Sequence, residues 1–350
     1  MPSADPVPSR DRSPVPDQGA AESTPVIAAD AAAPRTHLGS WLAALLLAAV
    51  LLYFSLRGVD WREVWRVISA ARVLPLGLAA LTTTVSFALR ALRWRLLLSG
   101  GHQFGFLTVF SANMVGYLGN AFLPARAGEV VRSVMISRRG PLSKTYVLTT
   151  AAVERLSDAI ALVLACSMAL LSLPSRPAWL ARASGTTAVV ATAGAVALVF
   201  LPRMEALVHR TLRALPLPAK FDAHLDRLAS QVLLGIRALH DAGRFWGFTA
   251  FTAAIWLCDS LSSIVLASSL GLHLSFPVAV LLLTGMGLGS ALPSTPGYVG
   301  IYQFVAVTVL RPFGFSRSDA LAYILVVQAI GYVLISFWGL MGLWRYRAEE

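Results

Sequence analysis

The chain has 350 residues, of which 56% are hydrophobic and only 13% charged, with a mean hydropathy of +0.67. A soluble domain carries about 25% charged residues, so this balance excludes an ordinary soluble enzyme or binding module. The net charge of +11 does not point to nucleic acid, because the arginines are scattered between apolar runs, where they set topology and meet anionic lipid headgroups.

Residues 1–36, rich in Pro, Ala, Ser and Asp, read as a disordered tail ahead of a single membrane domain over 37–347. The tail is no signal peptide, since the first apolar run starts only near Leu38. A span is predicted at 38–56. Residues 60–72 form an amphipathic helix, with Trp61, Val64, Trp65 and Ile68 on one face and Arg62, Glu63 and Arg66 opposite, suited to the headgroup layer. A second span at 73–98 ends in Arg90, Arg93, Trp94 and Arg95; snorkelling to the interface accounts for Arg95 more easily than for Arg90. The apolar run 104–123 stops at Pro124, and a short helix over 128–137 follows. Spans are then predicted at 146–173 and 183–201, the latter rich in small residues. An amphipathic surface helix follows at 221–241, and then a span at 245–270. A second broken run at 276–292 resumes at 298–310, and the last span covers 320–344.

The two breaks share a register. Leu123-Pro124-Ala125-Arg126-Ala127-Gly128-Glu129 and Leu292-Pro293-Ser294-Thr295-Pro296-Gly297-Tyr298 match in Leu, Pro and Gly, and each follows a stretch of small residues. Paired Gly/Pro interruptions in two halves are a transporter signature, and broken backbone at membrane depth must line a cavity or be covered by protein. The fold class is therefore an all-α polytopic membrane protein with six to eight transmembrane helices. Two re-entrant Pro/Gly-broken segments and an inverted internal repeat are part of that expectation. Six crossings with cytoplasmic termini place most basic clusters inside, although Arg57, Arg62, Arg66 and Arg72 fall outside.

Ionisable residues within apolar spans are functional candidates, since a charge at the bilayer centre costs at least about 2.5–3.5 kcal/mol. They cluster here: Arg126, Glu129 and Arg132 beside the first break, Glu154, Arg155 and Asp158 on one span, and Asp259 on another. Two readings are open and partly compatible. In one, arginines and carboxylates pair only to tie spans together. In the other they line a polar cavity, where guanidinium forks grip phosphate and carboxylates meet a cationic group. Ser294, Thr295, Gly297, Gly300, Tyr302 and Gln303 offer hydroxyls, an amide and close backbone approach from the second break. No metal or cofactor is expected, because Cys166, Cys258 and the six histidines show no ligand spacing and no P-loop occurs.

Four stretches in order carry a resemblance: Arg93-Trp94-Arg95, the Leu-Pro-x-Arg-x-Gly-Glu-x-x-Arg run at 123–132, Glu154-Arg155-x-x-Asp158, and Pro-x-x-Pro-Gly-x-x-Gly at 293–300. Together the chain resembles the flippase-like family built on the lysylphosphatidylglycerol synthase transmembrane region, from about residue 40 to 345. The resemblance implies an inner-membrane protein of lipid or glycolipid translocation type, with Arg126, Gly128, Glu129, Arg132, Glu154, Arg155, Asp158, Pro293, Pro296, Gly297 and Gly300 matching its pattern. Tyr302-Gln303 stands where the family commonly has a Glu, and aminoacylation is not expected of these 350 residues, which membrane segments take up. The expected partners are a membrane lipid or lipid-linked sugar and anionic lipid headgroups, with a lipid-synthesis enzyme as a further candidate and no nucleic acid. The alternatives are a membrane-embedded lipid-modifying transferase using Glu154 and Asp158, or an accessory subunit of a lipid-synthesis enzyme.

Overall fold

The computed structural model describes residues 38–123, 127–172, 189, 192, 193, 241–290 and 296–348. The expected tail at 1–36, the span at 183–201 apart from residues 189, 192 and 193, the surface helix at 221–241 apart from Asp241, and site residues Arg126, Ser294 and Thr295 lie outside the described residues. Residues from Ser40 onward form one compact unit. Among the described residues every regular element is helical: α1 (Leu38–Leu56), α2 (Trp61–Ser69), α3 (Val73–Leu98), α4 (Phe106–Phe122), α5 (Gly128–Arg138), α6 (Lys144–Leu171), α7 (Ala242–Ser269), α8 (Phe276–Gly289), α9 (Ile301–Leu310) and α10 (Arg317–Ala348).

Local chemistry sets these boundaries. Asp60 caps α2 by accepting from the Arg62 and Glu63 amides, Ser143 caps α6 through Tyr146 N, and Asp241 caps α7 through Arg244 N. Beside Arg66, the exposed Glu63 carboxyl is held below its ordinary value by a hydrogen bond and by the opposite charge. On α2 the valines Val64 and Val67 turn inward, and Trp61 and Trp65 stay exposed. The predicted 298–310 helix starts only at Ile301. Gly297, Tyr298 and Gly300 take φ of 71°, 60° and 89°, which bends residues 296–298 into a 3₁₀ turn first. The last helix is longer than the sequence predicts, reaching from Arg317 to Ala348.

Helices α3, α7 and α10 are each long and apolar enough to cross a membrane. At 26 residues α3 extends about 39 Å, more than a hydrocarbon core of about 30 Å. Their outward faces carry large apolar side chains, among them Leu74, Leu81, Val333, Phe337 and Trp344, as a lipid-facing surface requires.

The order long–short–break–short–long occurs twice, as α3 to α6 and as α7 to α10. Buried positions correspond 170 residues apart: Phe104 with Leu274, Val109 with Ala279, Ala112 with Leu282, Ile136 with Ala306 and Ala151 with Leu321. The packing follows the same rule. Helix α3 lies along α7, α4 packs on α10, and α8 packs on α6, so each broken arm leans on the long helix of the other half. Helices α3 and α7 run antiparallel. Arg72 N donates to Ser269 O (2.8 Å) at one end, and Arg93 Nη1 donates to Thr252 Oγ1 (3.1 Å) towards the other.

Glycines permit the closest approaches. A Cβ on Gly128 would lie 1.8 Å from Gly116 O, so α4 and α5 meet backbone to backbone. Gly339 and Gly342 of α10 sit against the α4 backbone at Met114 and Ser111 in the same way. Two apolar cores result, one around Trp94, Leu97, Phe104 and Ile136, the other around Leu274, Leu282, Leu310 and Leu321.

Candidate functional site

Helices α3, α5, α6 and α7 bring eight ionised side chains into one connected set. At its centre the Arg93 guanidinium grips Asp158 with both ends, Nη1 to Oδ1 at 2.6 Å and Nη2 to Oδ2 at 3.0 Å. It also reaches Glu154 Oε1 at 3.4 Å. Arg132 bridges Glu154 (3.2 Å) and Glu129 (2.7 Å), and Glu129 passes on to Arg155 at 2.9 Å. On the other flank Arg90 holds Asp259 at 2.5 Å and approaches Asp158 at 3.8 Å. The path alternates in sign throughout: Asp259, Arg90, Asp158, Arg93, Glu154, Arg132, Glu129, Arg155.

Helical spacing explains why these residues meet. Glu154 and Asp158 are one turn apart on α6 and face Arg90 and Arg93, three apart on α3. Glu129 and Arg132 do the same on α5. Aromatic faces cover the cations, with Trp94 4.5 Å from Arg132, Phe248 5.2 Å from Arg93 and Trp256 5.1 Å from Arg90. Arg93 and Arg132 are almost wholly buried, whereas the Arg155 side chain is 36% exposed, which makes the Arg155–Glu129 pair the accessible edge of the set.

Donors exceed acceptors inside this set. Among the described residues Arg93 Nε, Arg132 Nε and Asn113 Nδ2 are buried without an acceptor. Asn113 Oδ1 already accepts from Arg132 Nη1 at 2.6 Å, which fixes the amide's orientation. The carboxylates are all held by guanidinium groups. The arrangement is thus suited to receiving an oxygen-rich polar group, and poorly suited to proton abstraction by a free carboxylate.

An apolar cleft of about 860 Å³ lies between α6, α7 and α8. Phe248, Thr252 and Trp256 line it, and each of them also touches Arg90 or Arg93. Apolar volume and buried charge therefore share one wall.

The predicted residues divide into two sets. Arg93, Glu129, Arg132, Glu154, Arg155, Asp158 and Asp259 fall in the charged set, and Gly128 forms the α4–α5 contact beside it. Gly297, Gly300 and Gln303 build a second, uncharged set with Gln328 and Tyr332. Gln303 Oε1 accepts from Gly300 N (2.7 Å), Gln303 Nε2 donates to Gln328 (2.5 Å), and Gln328 and Tyr332 both donate to Gly297 O (3.1 and 2.7 Å). Tyr302 stacks on Tyr298 at 4.9 Å. The 296–298 turn packs on α4, so the second break reaches the first broken arm.

Sequence reasoning missed Arg90, Asn113, Thr252, Trp256, Gln328 and Tyr332, and also Asn120, whose Nδ2 donates to Glu129 Oε1 at 3.5 Å. Asn113 and Asn120 had a usable signal, two amides seven apart in an apolar run and so on one helix face.

A family model described as the lysylphosphatidylglycerol synthase TM region matches residues 41–339. The chain belongs to this family. The match takes in every helix of the charged set, so the ion path is a feature of this chain's lysylphosphatidylglycerol synthase TM region itself. The chain is also similar to glycosyltransferase AglD of Haloferax volcanii, at 28% identity over 310 residues, covering 77% of this chain and 47% of that protein. It spans about half the length of that curated relative. Membership of a membrane family and the apolar helices together make this a membrane-embedded protein with a lipid-related role.

Proposed function

We propose that the chain moves a polar-headed lipid, or a lipid-linked sugar, between leaflets. The observation that carries this reading is the shared wall: an apolar cleft sized for lipid tails borders a buried set of paired charges with donors to spare. The headgroup displaces part of the ion network while its tails stay in apolar surroundings. In this reading the α4–α5 and α8–α9 arms re-enter the membrane rather than cross it. The two antiparallel halves then act as an inverted repeat that rocks around the site. Helix α6 crosses as well, since its charges are met by arginines on α3 and α5. Both termini face the cytoplasm of a plasma membrane, where Arg138, Arg139, Lys144, Arg345 and Arg347 obey the positive-inside rule. Arg126, Ser294 and Thr295, which the sequence puts in the two breaks, belong to the same pathway in this reading.

The test is leaflet exchange in vesicles holding the purified chain, using acyl-labelled fluorescent phospholipids and a membrane-impermeant quencher. Wild type makes the inner-leaflet probe accessible, and Glu129→Ala, monodisperse by gel filtration, returns it to the level of protein-free vesicles. Equal quenching with and without wild-type protein refutes the proposal.

The name of AglD favours a second reading, a lipid-linked sugar transferase or its accessory subunit. Ion-paired carboxylates at Glu154 and Asp158 count against chemistry at this site. Product formed from a labelled lipid by the purified chain would decide for the transferase.

A further inference from the structure

A second cleft, of about 520 Å³, lies between α1, α9 and the start of α10. From its shape and its free donors we infer that it holds an anionic phospholipid by the phosphate. Phe54, Phe304, Val307, Thr308, Arg311 and Arg317 are among the residues lining it, and none of its lining residues belongs to the charged set or to the cleft between α6, α7 and α8. The two sites can therefore be tested apart. Phe304, Val307, Thr308 and Arg311 follow one another at spacings of three, one and three on α9 and its C-cap, so they share one helix face. Along that face Arg311 lies about 10 Å beyond Phe304. The cleft thus has an apolar end at the phenyl rings and a basic end at the guanidinium groups.

The basic end has donors and no acid. Among the described residues the exposed Arg311 guanidinium makes no hydrogen bond and no ion pair. Arg317 gives Nη1 to the Arg57 carbonyl, which ties the end of α1 to α10, and no carboxylate pairs with it. Asp319, two residues on, is turned to the start of α10, where its Oδ2 accepts from Ser316 N at 3.2 Å. Thr308 supplies a third free donor. Thr83, Thr249, Thr252 and Thr284 each donate to the carbonyl four residues earlier, whereas the exposed Thr308 makes no hydrogen bond among the described residues. Two guanidinium forks and a hydroxyl suit a phosphate, which offers each fork two oxygens and the hydroxyl a further lone pair. The partial positive charge at the α10 N-terminus acts in the same sense. With no carboxylate paired to either arginine, nothing there is placed to receive an ammonium group, so a net-anionic headgroup fits better than a zwitterionic one. The apolar end decides between a lipid and a free anion. Phe54 is 52% exposed and Phe304 half-buried, a wall that an acyl chain would cover and inorganic phosphate would leave wet.

The test is equilibrium binding of labelled short-chain phosphatidylglycerol to the purified full chain in non-ionic detergent, with phosphatidylcholine and inorganic phosphate as competitors. Wild type should show a saturable component that phosphatidylcholine displaces at least about tenfold less well than unlabelled phosphatidylglycerol, and that inorganic phosphate at the same concentration leaves in place. Arg311→Gln, at an exposed and unpartnered side chain and so tolerated by the fold, should weaken that component about tenfold or more, and Thr308→Val about fivefold. Arg62→Gln removes an exposed charge at the same end of the molecule, where Asp60 N donates to Ser318 Oγ at 3.2 Å, and should change it by no more than about twofold. Glu129→Ala should keep the component, which separates it from lipid bound at the charged set. Equal weakening by Arg311→Gln and Arg62→Gln overturns the inference in favour of diffuse surface charge. Equal displacement by phosphatidylcholine overturns the anionic assignment, and displacement by inorganic phosphate overturns the lipid one.

Discussion

Replacing Gly128 by alanine tests the architecture at its tightest point. The new Cβ would sit 1.8 Å from Gly116 O, and 2.7 Å from both Asn120 N and Asn120 Oδ1. Ordinary carbon contacts need about 3.5 Å, so α5 must retreat from α4 by roughly 1.5 Å, and the obstacle is mainly backbone that cannot rotate away. Overpacking of this kind costs about 1–3 kcal/mol, and the upper end applies here. Glu129, the next residue, is carried along with α5. Its 2.9 Å contact with Arg155 then opens beyond about 4 Å, too far for a hydrogen-bonded ion pair. The assay pairs thermal unfolding in detergent with leaflet exchange in vesicles. Gly77→Ala in α3 is the control, since nothing lies within 4 Å of its Cβ; it should match or exceed wild-type stability by up to about 1 kcal/mol. Gly128→Ala should melt well below both and lose exchange. Wild-type melting and exchange in Gly128→Ala would show that α4 and α5 do not pack as described.

Three further outcomes follow. Arg93→Leu removes the two-oxygen partner of buried Asp158, leaving it only Arg90 at 3.8 Å, and one of the two guanidinium contacts of Glu154; it should cost about 3–5 kcal/mol in denaturant unfolding, and adding Asp158→Leu should restore part of that loss. Gly300→Ala combines a φ of 89° with a Cβ only 2.5 Å from Ala48 O, so it should destabilise by more than about 1 kcal/mol, measured by thermal melting. Gln303→Leu removes the partner of Gly300 N and should cost about 1–3 kcal/mol.

Much of this was legible in the sequence because hydrophobic runs and breakers act locally. The apolar run at 73–98 coincides with α3, and the run at 38–56 with α1. The charged candidates were legible for the same reason, since Glu154 and Asp158 stand out in an apolar run and share a helix face. Their partners were harder to read. That Arg93 chooses Asp158, and Arg90 chooses Asp259, depends on α3 lying antiparallel to α7 and beside α6, a long-range fact that no local spacing encodes. Thr252 and Trp256 look like ordinary core residues until the fold sets them against guanidinium groups. The late start of α9 was hidden too, since a tyrosine at φ 60° is not what sequence preference suggests.

The repeat makes the placement of charge informative. Corresponding positions 170 residues apart do not repeat the ions of this set. Arg90 and Arg93 answer to Ser260 and Ser263, Glu154 and Arg155 to Ile324 and Leu325, and Asp158 to Gln328. Were the ions there only to hold a long helix against its neighbours, the second half would need them equally, yet it packs the same arrangement with Ile324 fully buried and a glutamine pair at Gln303–Gln328. A buried ion network is a weak source of stability compared with apolar packing of like volume. Apart from Asp259 on α7, which pairs across to Arg90, the costly arrangement is confined to the first half. That asymmetry supports the proposal that the charges of α3, α5 and α6 serve a ligand rather than the fold alone.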